Sequence, residues 1–371
     1  MRVLVVMLGL CFVLGCTEQG EEKVSEFSIV TYNAALLPWD GQEYVGERIP
    51  EIAEALNALN ADVICLQEVW DDSYFTQILD GMGQDYVHYF QARTVDPSPE
   101  QNPEIHCEDQ EALEALVDCY DTQCAPSNIP TYNCTQTVCN DLYVELSDKC
   151  IYCIMTNPDW GSAACVLGGA TDYVYGGRNG LGFISKMPLT ETTYTPYASA
   201  LANRGVLSAT VGGRRVHCTH LAAPEYENIP YAESGMPYGS FHEEQMGSAE
   251  LMLSLTDPER CEMIVGDLNS GRSFGASGPA YYQETIDLLE TAGFENKWDT
   301  PECTWCNANT LVRHGEDAWI DHVLVRGCGD ESLTFTRVLD EEVQIRSVTD
   351  GWVYSSLSDH YGVMVEIISS P

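Results

Sequence analysis

Several short apolar runs in this chain of 371 residues stop abruptly at a polar residue. The run "EMIV" leads directly into "GDLNSG", and the run "DVICLQ" reaches Glu68. Asp, Asn, Ser and Gly dominate turns, so "GDLNSG" alone predicts a turn. Side chains on a strand repeat every second residue, so a second interpretation is that Asp267 and Asn269 point the same way. They would then hold a cation, a phosphate or an activated water.

Strand-like and helical segments alternate along the chain. "EFSIVTYN" and "DVICLQEVW" have the composition of strands, and between them apolar residues recur every three or four positions from Val45 to Leu59, which predicts a helix. "GVLSATV" and "RRVHCTHL" flank a Gly-Gly pair that is typical of a hairpin. "WIDHVLV" and "HYGVMVEI" follow two further helical segments and predict late strands. The alternation predicts an α/β sheet sandwich with helices outside.

The N-terminus has the features of an export signal. "MRVLVVMLGLCFVLGC" contains an apolar run that is too short to span a bilayer comfortably. "VLGC" resembles the lipobox of bacterial lipoproteins, which implies a signal peptide at 1–15 and a lipidated Cys16 that begins a polar tether at 16–25. An ordinary cleaved signal peptide is the alternative. We therefore expect an exported protein, either a lipoprotein of the outer membrane or cell surface, or a secreted protein.

The cysteines agree with export. Two of the 16 lie in the N-terminal segment, and the remaining 14 are an even number, as disulfides in an oxidising compartment require. Zinc is the alternative for the pairs Cys150-x-x-Cys153 and Cys303-x-x-Cys306, because thiolates at this spacing bind tetrahedral metal. Eight cysteines fall within residues 96–172, where the strand and helix alternation is missing. We expect a disulfide-stapled insertion there, and the alternative is that "EDQEALEALVDCY" and its neighbours form core helices.

The charge balance of the chain is strongly acidic. Asp and Glu number 57 against 17 Lys and Arg, which gives a formal net charge of −40. Such a surface repels polyanions at long range, so avid binding of nucleic acid is disfavoured. A local basic patch or bound metal ions would still allow one strand to bind.

Eight polar residues lie at or beside the ends of the apolar strands. Each has an ordinary explanation when taken alone, as a turn residue, a helix cap or a hydrogen-bonded histidine. Their recurrence at strand ends favours a ligand site, because ligand sites of α/β sheets gather where strands end. The eight are Asn33, Glu68, His220, Asp267, Asn269, Asp321, Asp359 and His360.

Six motifs occur in a fixed order: "TYN", "LQEVW", "THL", "GDLNS", "IDHVLV" and "SDHYGV". With them the chain resembles the endonuclease/exonuclease/phosphatase superfamily, which includes deoxyribonucleases, inositol-phosphate phosphatases and neutral sphingomyelinases. The resemblance implies an α/β fold, a four-layer sandwich of two mixed β-sheets flanked by helices. The domain would occupy residues 26–371 and be interrupted by the Cys-rich insertion at 96–172.

The resemblance also implies a metal site. Glu68 would be the main ligand, with Asn33 and Asp359 as further ligands. A hard carboxylate oxygen suits Mg²⁺, which usually takes only one or two protein carboxylates and keeps several waters. Mn²⁺ and Ca²⁺ are the alternatives, and one or two ions remain open.

The remaining candidates would carry out the hydrolysis. By resemblance Asp267 and Asn269 orient the attacking water and the phosphate, and His220 donates a hydrogen bond to the phosphate as negative charge builds. His360 would be a general base or a phosphate contact, made more basic by Asp321. How the base role divides between Asp267 and His360 stays open.

The substrate is predicted from branch-like features. "LQEVW", "THLAAP" and "CTWCNANT" resemble the neutral sphingomyelinase branch, which implies a phosphodiesterase that cleaves phospholipid head groups. The lipid anchor would hold the enzyme at the membrane that contains its substrate. We expect a monomer. Trp352 and Tyr354 of "GWVY" form either a lipid-contacting edge or an ordinary packed strand. The alternatives are an extracellular deoxyribonuclease acting on nucleic acid and a non-catalytic binding protein that retains the fold.

Overall fold

The computed structural model contains two β-sheets stacked face to face. It describes residues 25–38, 42–92, 107–124, 134, 137–157, 165, 173–224, 229–274, 278–312, 316–328 and 332–368. The predicted signal peptide and the lipidated Cys16 lie outside the described residues. None of the helices in the described part is both long and apolar enough to span a membrane.

The described part contains thirteen strands and seven α-helices. The strands are β1 Ser25–Leu36, β2 Val63–Val69, β3 His88–Gln91, β4 Gly182–Ser185, β5 Thr190–Pro196, β6 Gly205–Val211, β7 Arg214–His220, β8 Glu262–Asp267, β9 Asp321–Arg326, β10 Ser332–Val338, β11 Val343–Ser347, β12 Gly351–Ser355 and β13 Gly362–Ile368. The helices are α1 Val45–Leu59, α2 Asp72–Gly81, α3 Gln110–Cys119, α4 Asn140–Tyr143, α5 Asp148–Thr156, α6 Phe241–Ser254 and α7 Gln283–Thr291.

Both large sheets are mixed. The six-stranded sheet has the order β10-β13-β1-β2-β4-β3, and only β1 and β2 are parallel. The five-stranded sheet has the order β5-β6-β7-β8-β9, and only β7 and β8 are parallel. Strands β11 and β12 form a separate hairpin. Each sheet thus has one central parallel pair, and the ends of those two pairs carry the candidate residues.

Strand alternation divides the apolar side chains between two surfaces of each sheet. Phe27 and Cys65 of the first sheet and Val216 and Val265 of the second share the buried core between the sheets. The opposite face of the first sheet packs on α1 and α2, and that of the second on α6 and α7. This confirms the predicted sandwich of four layers.

All fourteen cysteines outside the N-terminal segment are paired. Cys65 and Cys218 join β2 to β7 across the inter-sheet core, and Cys261 pairs with Cys328. Cys303 and Cys306 pair with each other. Disulfide bonding is therefore confirmed and the zinc alternative is wrong, because Cys150 and Cys153 are also each bonded to another cysteine.

The eight clustered cysteines pair only among themselves, in four disulfides. Helices α3 and α5 lie in the same segment, and α3 corresponds to the "EDQEALEALVDCY" alternative. The segment therefore combines the two alternatives, the disulfide-stapled insertion and the additional helices, since its short helices are held together by disulfides. Trp70 and Ala222 of the sandwich share the core of this segment.

Some elements differ from expectation. Helix α1 spans Val45–Leu59 as predicted, although Pro50 is its sixth residue. Strands β3, β5, β10 and β11 were not predicted, because exposed strands such as Thr190–Pro196 lack an apolar run, whereas "GWVY" is a strand, β12, as one of its two interpretations has it. The Gly-Gly hairpin is confirmed, with φ of 56° at Gly212 and 79° at Gly213, values that favour glycine.

Candidate active site

The site lies where the two parallel pairs end. In the five-stranded sheet His220 of β7 is opposite Asp267 of β8, which is opposite Asp321 at the start of antiparallel β9. In the six-stranded sheet Asn33 of β1 is opposite Gln67, one residue before Glu68. Alternation places Asn33, Asp267 and Asp321 on the face that forms the inter-sheet core, so two sheets deliver polar groups to one place.

Glu68 reaches this place through a local departure from strand geometry. Ile64 and Leu66 of β2 pack on the helical side, and regular alternation would send Glu68 the same way. The backbone at Glu68 has a φ of 56°, a left-handed value that costs energy for a residue with a side chain. Its Oε1 instead accepts a hydrogen bond from Asn33 Nδ2 at 3.1 Å. The strain is therefore associated with presentation of this carboxylate at the site.

The "GDLNSG" segment is a turn, as its composition predicts. Strand β8 ends at Asp267, and Asn269 lies beyond it with a φ of 47°. Strand alternation therefore does not set the direction of Asn269. Its backbone N–H donates to Asp267 Oδ1 at 2.9 Å, and its Nδ2 donates to the carbonyl of Leu221 at 3.0 Å. Asn269 thus fixes the carboxylate of Asp267 and ties the end of β8 to the end of β7.

Asp267 stands at the centre of the site. Its Oδ2 accepts from Asn33 Nδ2 at 2.9 Å and lies 3.3 Å from Nε2 of His220 and 3.8 Å from Nε2 of His360. Burial acts to raise the pKa of Asp267, but the charges of His360 and His220 and these hydrogen bonds outweigh burial and lower the pKa. Asp267 is therefore a buried anion at neutral pH.

His360 and Asp321 form a buried pair. Nδ1 of His360 lies 2.8 Å from Oδ2 of Asp321, and the two residues come from different sheets. Burial acts to lower the pKa of His360, but the charges of Asp321 and Asp267 raise the pKa well above its usual value. Burial raises the pKa of Asp321 to about 6. Because His360 faces two carboxylates, its imidazole is protonated at neutral pH.

Three side chains have the chemistry of a divalent-cation site. One ligand atom each from Glu68, His220 and Asp267 lies within 4.8 Å of the others. The side chain of Glu68 is 19% exposed, so this carboxylate is partly accessible to solvent while Asp267 is buried. Burial, and next the charge of Arg204, lower the pKa of His220, which keeps its imidazole neutral and able to bind metal. Two carboxylates beside a neutral imidazole fit a divalent cation.

Asn33 and Asp359 take different places from those two carboxylates. Asn33 turns its donor Nδ2 toward Glu68 and Asp267, while its Oδ1 accepts from the N–H of Ala35 at 3.1 Å. Asp359 is half-buried and its Oδ2 accepts from Gln42 Nε2 at 3.0 Å. Asn33 therefore bridges the two carboxylates through its amide, and Asp359 lies outside the group formed by Glu68, His220 and Asp267.

Comparison with known proteins identifies the family. A sequence profile of the Endonuclease/Exonuclease/phosphatase family matches residues 30–360. The chain belongs to this family. Members of the Endonuclease/Exonuclease/phosphatase family hydrolyse phosphodiester bonds, and the resemblance seen in the six motifs is confirmed. A search among curated protein sequences found no match.

Solved structures with the same fold are distant in sequence. Sphingomyelinase C from Streptomyces griseocarneus is 18% identical with a TM-score of 0.52, over 92% of this chain and 98% of the other. A double mutant of beta toxin from Staphylococcus aureus, solved with bound magnesium ions, is 13% identical with a TM-score of 0.53, over 92% and 99%. At this identity the matches establish the shared fold.

Two residues of this family member that the sequence did not single out hold the candidate residues in place. Arg48 of α1 is fully buried and its guanidinium donates to the carbonyls of Ala34, Ala35 and Leu357. Ser358 Oγ donates to the carbonyl of Asn33 at 2.7 Å and accepts from the N–H of His360 at 3.2 Å. For Arg48 the sequence did contain a signal of a buried role. It is a cation next to the apolar face of a predicted helix, in a chain with few cations.

Proposed function

We propose that this protein is a divalent-metal-dependent phosphodiester hydrolase that cleaves phospholipid head groups at a membrane surface. The observation that carries the hydrolase assignment is the convergence on Asp267 of Asn33, His220 and His360, with Glu68 beside them. Hydrolysis of a diester needs neutralised phosphoryl oxygens, an oriented water and a stabilised leaving oxygen. This group of side chains offers one candidate for each need.

Glu68 is the proposed main metal ligand, assisted by His220 or Asp267. A bound Mg²⁺, Mn²⁺ or Ca²⁺ ion would supply positive charge for the phosphoryl oxygens. The fit rests on hard oxygen donors and on an excess of carboxylates in the site, where Asp267, Asp321 and Asp359 join Glu68. Asn33 holds Glu68 and Asp267 at a fixed separation through its amide.

Asp267 and His360 have complementary proton chemistry. Asp267 is an anion held in position by two donors, the amide of Asn33 and the backbone N–H of Asn269, so we assign it the orientation of the attacking water and acceptance of its proton. His360 is protonated because it faces Asp321 and Asp267, so we assign it a hydrogen bond to the phosphoryl or leaving oxygen. His220 contributes a further hydrogen bond to the phosphate whenever the metal does not engage it.

An exposed aromatic surface on the β11–β12 hairpin supports a lipid substrate. Trp352 and Tyr354 are 65% and 66% exposed, and Val348 at the tip is 91% exposed. Trp352 is paired with Arg346, and the hairpin leads within a few residues to Asp359 and His360. Aromatic side chains beside a cation favour the interface of a zwitterionic bilayer. The solved relative named sphingomyelinase C and the strongly acidic charge of the chain favour the same substrate class over nucleic acid.

Anchoring is a separate part of the proposal. Cys16 within "VLGC" would carry the lipid chains, and residues 17–25 would tether the folded domain to the outer membrane or cell surface. Radiolabelled palmitate should be incorporated into the full-length chain in a bacterial host and be lost in Cys16→Ser. Incorporation that persists in this variant would contradict the lipoprotein assignment and leave an ordinary signal peptide.

Substrate assays on the purified full-length chain test the function. We expect hydrolysis of sphingomyelin or phosphatidylcholine in mixed micelles with Mg²⁺ and none after chelation. Single- and double-stranded DNA are the competing substrates. Cleavage of DNA without lipid turnover would identify a deoxyribonuclease, and inertness on every diester with every divalent ion would identify a non-catalytic binding protein.

A matched pair of surface variants tests the lipid contact. Trp352→Ser combined with Tyr354→Ser should lower hydrolysis of lipid vesicles by about tenfold, because membrane binding is weakened, and leave hydrolysis of a soluble diester unchanged. The control is Val87→Ser combined with Tyr89→Ser, since those side chains are 62% and 54% exposed on another edge. Equal rates of vesicle hydrolysis in the two double variants would show that the β11–β12 hairpin does not contact the membrane.

A further inference from the structure

A four-residue loop closed by a disulfide packs directly on the His360–Asp321 pair. We call residues Cys303, Thr304, Trp305 and Cys306 the CTWC loop. The loop lies between α7 and β9 in the sequence, and none of its members was among the predicted site residues. Its backbone and one hydroxyl reach the two strands that deliver the pair.

Thr304 contacts the strand that carries Asp321. The side chain is fully buried, and its Oγ1 accepts hydrogen bonds from the N–H of Asp321 at 3.1 Å and of Ile320 at 3.2 Å. The N–H of Thr304 and that of Trp305 both donate to the carbonyl of Ala318, at 2.8 and 3.0 Å. The N–H of Ala318 in turn donates to the carbonyl of Trp305 at 2.7 Å, so five hydrogen bonds hold the segment that leads into β9 against the loop.

The same loop contacts the segment that carries His360. The carbonyl of Thr304 accepts from the N–H of Tyr361 at 2.7 Å, and Trp305 forms an antiparallel bridge with His360. Asn309, whose N–H donates to the carbonyl of Cys306, extends its Nδ2 to the carbonyl of Ser358 at 2.8 Å. Both sides of the catalytic pair are thus attached to one short loop.

We infer that Thr304 is a positioning residue that sets the separation of His360 and Asp321, and that the Cys303–Cys306 disulfide is a redox-sensitive lock on that position. His360 precedes β13 of the six-stranded sheet and Asp321 begins β9 of the five-stranded sheet, so their 2.8 Å contact depends on how the two sheets are joined here. The CTWC loop bonds to both sides of that junction. The inference rests on the proposed function only for its activity measurements.

The surroundings of this disulfide favour its reduction ahead of the buried Cys65–Cys218 bond in the inter-sheet core. Nη1 of Arg337 lies 3.8 Å from Cys303 Sγ and 3.9 Å from Cys306 Sγ, and a cation beside a sulfur stabilises the thiolate. Cys303 is half-buried, whereas Cys65 and Cys218 are fully buried. The two cysteines are only three positions apart, so opening the ring releases little chain entropy and leaves the fold intact.

The redox step needs a dithiol reductant from outside the protein. One thiolate of the dithiol attacks a sulfur of the Cys303–Cys306 bond, and its second thiol then closes its own disulfide. Two electrons and two protons pass to the loop, which leaves two cysteine thiols. Thr304 and Trp305 are then held only by hydrogen bonds, and the His360–Asp321 contact loses its fixed length. An oxidant of the disulfide class reverses the step.

Thr304 is tested with two substitutions in the full-length chain. Thr304→Val removes the acceptor at nearly constant shape, and we expect kcat on bis(p-nitrophenyl) phosphate to fall about 10- to 100-fold with KM changed less than about twofold. Thr304→Ser keeps the acceptor and should retain kcat within about threefold. Equal kcat in the two variants, or a change in KM alone, would overturn the positioning role.

The disulfide is tested against a matched pair elsewhere. Cys303→Ala with Cys306→Ala should lower kcat about tenfold or more and abolish the response to dithiothreitol. Cys261→Ala with Cys328→Ala removes the other half-buried disulfide, at the far end of β8 and β9, and should retain both kcat and the response. Loss of activity in the unsubstituted chain should parallel alkylation of Cys303 and Cys306 and return on reoxidation. Loss that parallels another pair would overturn the lock.

Amide hydrogen exchange separates this inference from the proposed function. In the Cys303→Ala, Cys306→Ala variant the amides of Asp321 and Tyr361 should exchange at least about tenfold faster, because their acceptors are on Thr304. The amide of Lys186, which donates to the carbonyl of Asp62 at 3.0 Å and has no contact with the loop, serves as the reference. If the unsubstituted chain cleaves no diester, the proposed function is wrong, and the exchange rates alone then test whether the disulfide fixes the position of the pair. Unchanged exchange at Asp321 and Tyr361 would overturn the lock in either case.

Discussion

Two buried histidine–carboxylate pairs lie at opposite ends of the five-stranded sheet. His217 in the middle of β7 and Glu262 at the start of β8 are 2.6 Å apart, and both are almost completely buried. His360 and Asp321, at the other end, are 2.8 Å apart and are also buried. The residue types and separations match, so neither burial nor pairing distinguishes the two sites.

The pairs differ in what remains unsatisfied. The second ring nitrogen of His217 bonds to Ser208 Oγ at 2.8 Å, and the second oxygen of Glu262 accepts from the N–H of Asp257 at 2.9 Å. In the other pair Nε2 of His360 lies 3.8 Å from Asp267, beyond a hydrogen bond, and Oδ1 of Asp321 has no partner among the described residues. We call a pair saturated when all of its polar atoms have hydrogen-bond partners within the protein. A saturated pair has a structural role, whereas an unsaturated pair has polar atoms left to bind a substrate.

The largest expected difference between the pairs is in the rate. His360→Gln should lower kcat about 1000-fold, because it removes the proposed hydrogen bond to the developing charge, while the chain stays folded. His217→Gln should lower kcat less than about threefold and instead lower the free energy of unfolding by about 3 kcal/mol, because Glu262 is left buried without its partner. Steady-state kinetics and urea unfolding of both variants measure this. A similar kcat in the two variants would show that saturation does not separate the roles.

Metal dependence should separate two glutamates in the same way. Glu68→Gln should lower the rate about 100-fold at fixed Mg²⁺ and raise the concentration needed for half-maximal activity, because a neutral amide is a weaker ligand. Glu262→Gln should leave the metal titration unchanged, since that side chain is saturated by His217 and Asp257. Activity against Mg²⁺ concentration, with calorimetric binding as a second readout, checks both. Coincident titration curves would remove Glu68 from the metal site.

The ends of the strands could be predicted from the sequence because local rules govern them. Apolar runs identified β2, β7, β8, β9 and β13, and alternation within those runs already pointed Asp267 toward the same face as Met263 and Val265. The resemblance in six motifs then indicated the family and its four layers. Local pattern and fold agree wherever a strand is buried on both faces.

The distinction between His217 and His220 could not be predicted, because it depends on residues far away in the chain. Both lie in "RRVHCTH", and only the fold brings Glu262 to one and Asp267 to the other. The left-handed φ at Glu68 and the attachment of Thr304 to Asp321 are likewise tertiary features. Exposed strands such as β5 were missed since their side chains face solvent and leave no apolar pattern.

Glu244 of α6 gives the smallest and most specific test, because it is a saturated acid near the site. Its Oε2 accepts from the N–H of Ala200 at 2.7 Å and from Tyr231 Oη at 2.9 Å, and burial raises its pKa to about 7. The folded chain therefore holds a proton that the unfolded chain releases near pH 4.5, so ionisation of Glu244 lowers stability as the pH rises from about 4.5 to 7.

Glu244→Gln should abolish this part of the pH dependence. The measured quantity is the free energy of unfolding of the variant minus that of the unsubstituted chain. This difference should increase by on the order of 2 kcal/mol between pH 5 and pH 7.5 and then level off. Urea unfolding at several pH values measures the difference and cancels the other titrating groups. The rate should stay within about twofold, as for His217, because Gln keeps the acceptor for Ala200. A constant difference across this range would mean that Glu244 is ionised in the folded chain, with its charge compensated by Arg204. Hydrogen bonds within the protein would then not be enough to identify an acid as structural.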